Sequence, residues 1–407
     1  LIAPHGSYRT AAYLQAAQRL RYPVVIASEA EQSLIEAYRK GIRLDFQSLE
    51  NSVERLAAQV ADLNVCTVLG TDDMTTEIAS RVSRRAGLTH NPPPAVAMTR
   101  RKDLARQCLW NAGLPSPRFQ IIPRDQDINT TTLTVAFPAV LKPISLSGSR
   151  GVIRVDDRLA LSRAMQRLNT IVDNAISLHE DEKKRYLLES FIPGFEVAVE
   201  GMLDDGDLEI LAIFDKPDPL NGPYFEETYY ISPTRLDTDT QEALAAWVQR
   251  ACQAFGLRHG AIHAECRIND TGIYVIELAA RTIGGLCAKM FEYGTGYGLE
   301  QLVLANAMGE RLPVQRQNHG MGVLMIPIPK AGLLKRINGL AAARAVPDIT
   351  DLQMTVSPGH ELIPLPEGNS YLGFIFSQAA DAATAEKALR TAHEKLHFTI
   401  DPIWKIC

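Results

Sequence analysis

The first ninety residues alternate short apolar runs with stretches of helical period, and this alternation limits the fold more than any other feature. Residues 1–3, 24–27 and 65–69 read as strands, while residues 8–20, 49–63 and 73–86 carry apolar side chains at helical spacing. Strand and helix in repeated succession is βαβ order, which predicts a parallel sheet with helices packed on it. Gly70-Thr71-Asp72-Asp73 closes the third strand. Its two acids either cap the next helix or contribute to a ligand site at the carboxyl edge of the sheet. Leu1 reads as the end of a strand already under way, so further residues are expected to precede it in the natural protein.

Asn91-Pro92-Pro93-Pro94 reads as a linker, because three prolines stop helix and sheet and hold an extended segment. A helix over 101–111 follows, then a strand over 137–142, a glycine and serine loop, and a helix over 158–172. Residues 186–189, 196–203 and 208–214 read as antiparallel strands, the last two joined across Asp204-Asp205-Gly206-Asp207. Residues 239–255 are helical. Past about Arg311 come strands at 322–328 and 372–377 and a last helix over 381–397. The expected organisation is a βαβ domain over 1–90, a larger domain over 91–310 and an α+β unit over 311–407. The fold class is α/β joined to α+β.

A chain of 407 residues with 46% hydrophobic content buries a sizeable core and divides into more than one domain. Its net charge of -5 and its short arginine clusters at Arg84-Arg85 and Arg100-Arg101-Lys102 predict solvated helix faces and no nucleic-acid partner. No apolar run reaches the roughly 18 residues of a membrane span, and no signal-like segment opens the chain, so a soluble cytoplasmic protein is expected. The six cysteines, Cys66, Cys108, Cys252, Cys266, Cys287 and Cys407, form no CxxC pair and are expected to be reduced core residues.

Three stretches carry chemistry. In the first, residues 263–277, Asn269-Asp270-Thr271-Gly272 fits a three-residue hairpin loop with Gly272 in the bulge, a register that sets Glu265 directly opposite Glu277. Two carboxylates so paired repel. A divalent cation offsets that, since Mg²⁺ is held by one or two carboxylates plus phosphates. Protonation of one acid, or pairing with Arg267 or Arg281, offsets it equally, and the hairpin alone does not choose. In the second stretch Lys142 ends an otherwise buried strand, a costly place for a cation unless it meets an anion. The following Ser145-Leu146-Ser147-Gly148-Ser149-Arg150-Gly151 can turn backbone N–H groups and hydroxyls toward a phosphate, although it is no Walker A loop. In the third, Glu189 and Glu196 bracket Phe191-Ile192-Pro193-Gly194, an apolar wall suited to an adenine ring with an acid beyond it for ribose hydroxyls.

Together, in this order, these stretches resemble the ATP-grasp superfamily, and within it the carboxylate-amine ligases that include D-alanine:D-alanine ligases, carnosine synthases and bacterial L-amino acid ligases. The resemblance spans essentially the whole chain and implies an ATP-grasp fold with an N-terminal preATP-grasp domain and a lid subdomain over about 118–190. It also implies ATP and Mg²⁺, with Mn²⁺ as a substitute, amino acids as small-molecule substrates, and a possible homodimer. Lys102 and Lys142 resemble the two lysines near the α and β phosphates, and the loop containing Ser147, Gly148 and Ser149 resembles the lid loop over the β and γ phosphates. Glu189, Phe191 and Ile192 resemble the adenine hinge, and Glu196 the ribose ligand. Glu265 and Glu277 match the two metal carboxylates. Arg281, with Lys142 and Ser149 in supporting catalytic roles, resembles the arginine that steadies the transferred phosphate and the tetrahedral intermediate. Ala279 departs from the Glu-x-Asn of many ATP-grasp enzymes, while Glu-x-Ala-Ala-Arg is similar to the bacterial L-amino acid ligases.

The acceptor side is less legible. Glu226 or Glu227 could hold a substrate ammonium or be a loop acid, His263 could touch substrate or be structural, and Gly284-Gly285 suit a close approach of backbone to substrate. The implied activity is formation of an amide between amino acids through an acyl phosphate. Its alternatives are an ATP-grasp enzyme with another acceptor, or a nucleotide-binding regulator without turnover. Two motifs are refused. His393-Glu394-Lys395-Leu396-His397 matches HExxH but leaves little chain for a third zinc ligand, and Gly294-Thr295-Gly296-Tyr297-Gly298 joins helix to helix rather than strand to helix.

Overall fold

A computed structural model describes residues 1–29, 41–45, 49–175, 178–314 and 319–403, the side chain of Tyr293 excepted. Cys407 lies outside the described residues. The three N-terminal helices form over Arg9–Leu20, Leu49–Asp62 and Asp73–Ala86, and strand β1 (Ile26–Ser28) pairs in parallel with β2 (Gly41–Arg43). Ile2 adds single parallel bridges to Ala27 and Gly70. The expected strand over 65–69 is reduced to the second of these: only at its end do Ile2 N–H and Thr71 N–H exchange bonds with Leu69 and Ile2 carbonyls. Cys66, within that segment, is exposed rather than core, whereas Cys252, Cys266 and Cys287 are buried and Cys108 half-buried.

The triple proline opens a helix, Pro93–Arg100, and is not an extended linker. Proline fits the first helical turn because that turn's N–H groups have no intrahelical acceptor. Asn91 fixes the junction further, accepting from the N–H groups of Arg258 and His259 at 2.7 and 2.9 Å and donating to the His259 carbonyl.

A four-stranded antiparallel sheet follows, from β3 (Phe119–Pro123), β4 (Ala139–Pro143), β5 (Ile153–Val155) and β6 (Arg185–Ser190), in the order β3-β6-β4-β5. The helix Arg158–Asp173 packs Leu161, Met165 and Leu168 on its apolar face. Its Asp157 cap accepts from Ala160 N–H at 2.7 Å.

The largest sheet has eight strands. Its members are β7 (Phe195–Asp204), β8 (Asp207–Lys216), β9 (Tyr229–Ser232), β10 (Gly260–Asn269), β11 (Gly272–Ala279), β12 (Gly320–Ile326), β14 (Ile349–Met354) and β16 (Gly373–Ala379), ordered β11-β10-β7-β8-β9-β12-β16-β14. The sheet therefore runs straight across residue 310. One face packs on the helix Thr238–Phe255 through Leu244, Val248 and Phe255; the other carries Phe214, Tyr230, Phe374 and Phe376, against which Phe291 of the helix Met290–Thr295 packs. Strands β13 (Gly332–Asn338), β15 (Glu361–Leu362) and β17 (His397–Asp401) form a small separate sheet. The last helix stops at Glu394 and His397 starts β17, so the two histidines of the refused HExxH motif stand on different elements. Among the described residues no helix is long and apolar enough to cross a membrane.

Candidate active site

The four-stranded sheet faces the end of the eight-stranded one across a cleft lined by Lys102, Lys142, Ser147, Gly148, Ser149, Glu189, Phe191, Ile192, Glu196, Glu227, Glu265 and Glu277, among others. Glu265 and Glu277 are directly paired across β10 and β11. They reach that pairing by a different route from the three-residue loop. Asn269 pairs with Gly272 over a two-residue turn, and a bulge between Glu265 and Cys266 then shifts the register by one and restores the pair. Both carboxylates open on the cleft that holds the lysines.

Lys142, on the fully buried β4, meets Glu189 of β6 in an ion pair whose partners are 9% and 2% exposed. Arg106, from the helix Lys102–Asn111, donates Nε to Glu189 Oε2 at 2.8 Å and Nη2 to the Ile276 carbonyl at 2.6 Å. Burial would raise the Glu189 carboxyl, but the Arg106 and Lys142 charges hold it down at about 2. Burial lowers the Lys142 ammonium from its usual range, with Arg106 and Lys102 adding to the effect against Glu189. Glu189 is therefore a charged bracket between Lys142 of β4 and Arg106 of the helix Lys102–Asn111, in the lining of the cleft. Lys102 donates Nζ to the Leu146 carbonyl at 2.6 Å, at the start of the serine loop.

Behind the acids stands Lys216, the last residue of β8 and 3% exposed; the stretch Asp215-Lys216-Pro217 is expected near the acceptor pocket, but no role for the lysine itself is legible in the sequence. Its Nζ lies 2.9 Å from Glu196 Oε1, 2.5 Å from Glu227 Oε1 and 3.1 Å from Glu265 Oε1. The three acids offer oxygens within 4.8 Å of one another, a spacing that could also hold a metal ion. Glu196 is shared with Arg267, whose Nε donates to Oε2 at 2.7 Å. The Arg267 guanidinium also stacks over Phe191, 5.1 Å from the ring centroid, with Arg154 at 4.5 Å. Burial and the Glu265 charge lift Glu227 to about 8 against the pull of Lys216, while Tyr230 donates to its Oε2 at 2.7 Å. Burial would raise Glu265 as well, yet Lys216 and His263 hold it well below the carboxylate range.

His263 bridges Glu200, through Nδ1, and Glu265, with Nε2 at 3.5 Å from Oε1. Burial pulls the imidazole down, but the Glu200 carboxylate followed by Glu265 outweighs it and pushes the ring up to about 9. Wholly buried Glu200 is a second residue that sequence reasoning missed. Lys216 and Glu200 share a cause: each meets partners on other strands of the sheet, and only an odd charge in an apolar run hinted at it.

Five expected site residues stand outside the cleft lining: His263, which reaches it only through Glu265, and Arg281, Glu226, Gly284 and Gly285. Arg281 lines a neighbouring cavity with Gly70, Thr76 and Thr282. Its Nε donates to Asp73 Oδ1 at 2.6 Å and its Nη1 to the Thr282 carbonyl at 2.9 Å. Burial opposes the charge on Arg281, and Asp73 more than restores it; Asp73 is in turn lowered by Arg281 against its own burial. Arg9 holds the same loop from the other side, donating to Thr282 Oγ1 at 2.5 Å and to the Ile283 carbonyl at 2.7 Å. Glu226 is half-buried and takes a bond from the Ile328 backbone. A Cβ on Gly284 would meet open space, whereas Gly285, at φ +62°, would place one 3.0 Å from Phe374. Packing and backbone conformation account for Gly285, and crowding accounts for nothing at Gly284.

A family profile for the ATP-grasp domain matches residues 135–290, and one for L-amino acid ligase C-terminal domain 2 matches residues 324–401. The chain is 24% identical over 397 residues to the uncharacterized protein y4rH of Sinorhizobium fredii, covering 96% of this chain and 80% of that one. It is 25% identical over 252 residues to dapdiamide A synthase of Enterobacter agglomerans, covering 61% of this chain and 58% of that one. Likewise it is 25% identical over 268 residues to alanine–anticapsin ligase of Bacillus subtilis, covering 60% and 55%. The chain thus spans just over half the length of these last two. The crystal structure of an L-amino acid ligase from Bacillus licheniformis superposes with a TM-score of 0.84 at 25% identity, covering 98% of both chains. Phosphoribosylglycinamide synthetase from Anaerococcus prevotii, at a TM-score of 0.69 and 15% identity over 98% of this chain and 99% of that one, shares the fold.

Proposed function

From a chain of the ATP-grasp fold that carries an L-amino acid ligase C-terminal domain, we propose an ATP-dependent ligase that joins the carboxylate of one amino acid to the amine of another. The products are a dipeptide, ADP and phosphate. The observation that carries this reading is the convergence of Lys102 and Lys142 with the opposed carboxylates Glu265 and Glu277 on one cleft. Phosphoryl transfer needs positioning and charge neutralisation more than covalent help, and such a cleft supplies both.

ATP would lie with its base against Phe191 and Ile192, its ribose near Glu196 and its phosphates between the two lysines and the loop 147–151. Glu265 and Glu277 are hard oxygen donors that suit Mg²⁺, or Mn²⁺ in its place. Bound there, the ion neutralises phosphate charge. A substrate carboxylate oxygen attacks the γ-phosphorus and ADP leaves; the amine nitrogen then attacks the acyl carbon and phosphate leaves. Of the two acids expected on the acceptor side, Glu227 lines the cleft and Glu226 does not, and Glu227 is already engaged by Lys216 and Tyr230. Arg281 stands beside the cleft and not in its lining, and its role of steadying phosphate and oxyanion rests on the sequence resemblance. Asp73 orients it, and its Nη2 makes no hydrogen bond among the described residues.

The test is ADP release against pooled amino acids, with and without Mg²⁺, with products identified by mass spectrometry. Amino-acid-dependent ADP together with dipeptide mass supports the reading. Absence of amino-acid-dependent ADP sinks it.

A further inference from the structure

The loop 147–151 is roofed by a turn from the C-terminal part of the chain that no sequence motif singled out. Gly151 donates its N–H to the Pro366 carbonyl at 2.9 Å. Arg150 donates Nε to the Glu367 carbonyl at 2.9 Å. Arg167, on the helix Arg158–Asp173, pairs with the Glu367 carboxylate through two nitrogens, Nη2 to Oε2 at 2.8 Å and Nε to Oε1. A Cβ on Gly148 would stand 3.3 Å from Asn369 Cβ, so the turn packs directly on the loop. The turn closes on itself, Gly368 N–H donating to the Pro364 carbonyl at 2.9 Å, and a Cβ on Gly368 would collide with Ile363 at 1.9 Å.

What lies under the loop matters as much. At Gly151, φ +75°, a Cβ would come 2.7 Å from Leu168 of the same helix and 3.2 Å from Pro143, the neighbour of Lys142. The loop is thus pinned between β4, which presents Lys142, and the turn 364–369. A shift of the turn displaces the loop's N–H groups relative to the lysine.

We propose that the turn 364–369 is a positioning strap for the phosphate loop, with Glu367 as its anchor and Arg167 as the anchor's partner. It seats the loop over the cleft and keeps water from the activated carboxylate, which makes the C-terminal unit part of the nucleotide site rather than an appendage. The proposal rests on reading 147–151 as the phosphate loop.

The test compares wild type with Glu367→Gln, Glu367→Arg and the charge swap Arg167→Glu/Glu367→Arg, all checked for folding by circular dichroism. Hydrogen exchange of the amides across 147–152 and calorimetric titration with MgADP are the deciding readouts, and neither requires turnover. Glu367→Arg should speed exchange there about threefold to fivefold, the range for losing a half-exposed ion pair that closes a local opening. MgADP affinity should fall by a similar factor, Glu367→Gln should lie between, and the swap should restore both. Unchanged exchange and affinity in Glu367→Arg, or a swap no tighter than the single variant, overturns the strap. The ligase reading fails separately, if wild type releases no ADP in response to amino acids. Where turnover is present, the strap further predicts that Glu367→Arg raises ADP released per dipeptide formed.

Discussion

The Lys216 ammonium stands 3.1 Å from Oε1 of Glu265, so a buried fixed cation already faces one of the two carboxylates expected to hold a metal. Three acids share that single ammonium. Removing one member of a buried charge cluster leaves uncompensated charge, at a cost of about 3–5 kcal/mol. Lys216→Met should therefore lower stability by that order in chelator-treated protein, read from the urea midpoint. Added Mg²⁺ or Mn²⁺ should recover part of the loss and shift wild type less. An unchanged midpoint would show that the cluster is not held by Lys216.

Arg106 tests the other bracket. It is the larger charge on Glu189 and, through the Ile276 carbonyl, ties the four-stranded sheet to the neighbour of Glu277. Arg106→Met leaves Glu189 with Lys142 alone, and should cost about 3–5 kcal/mol while weakening nucleotide binding. Loss of stability with unaltered MgADP affinity would confine Arg106 to a structural role.

These two residues also show where the sequence stops being legible. Helices and strands with clean periodicity were readable to within a residue or two, as in Asp73–Ala86 and Arg158–Asp173. The triple proline misled because proline both interrupts and initiates helices, and only Asn91's long-range bonds to 258 and 259 decide between them. At the hairpin, a loop one residue too long and an unforeseen bulge cancelled, so the Glu265 and Glu277 pairing was right for an incomplete reason. Lys216, Arg106, Glu200 and the turn 364–369 act through partners 11 to 217 residues away, for which one sequence offers no spacing rule.

Asp73 and Arg281 join the N-terminal helix to the loop that follows β11. Asp73→Asn should cost about 1.5–3 kcal/mol at neutral pH, the range for a hydrogen bond to a charged group. Its folded carboxyl is depressed by Arg281 against burial. Asp73 therefore contributes stability present above its unfolded pKa and lost as pH falls through the folded one. Denaturation midpoints of Asp73→Asn and wild type should accordingly differ at pH 7 and converge as the pH falls through the depressed folded pKa of Asp73. A difference that persists in acid would assign the effect to helix capping rather than to the ion pair.

Glu277 separates catalysis from folding most cleanly. It is half-buried, lines the cleft and faces Glu265, but unlike Glu265 it is not held by Lys216. Glu277→Ala removes one of two directly opposed like charges, so stability should hold within about 0.5 kcal/mol or rise. Turnover depends on the charge that Glu277 contributes next to the phosphates, and should fall at least about a hundredfold, as for loss of one electrostatic stabiliser. MgADP affinity should fall with it, while metal-free ADP binding is retained. Steady-state rates beside calorimetry with and without Mg²⁺ decide the point: retained turnover in Glu277→Ala would remove the metal assignment and leave Glu196, Glu227 and Glu265 as the remaining acid set.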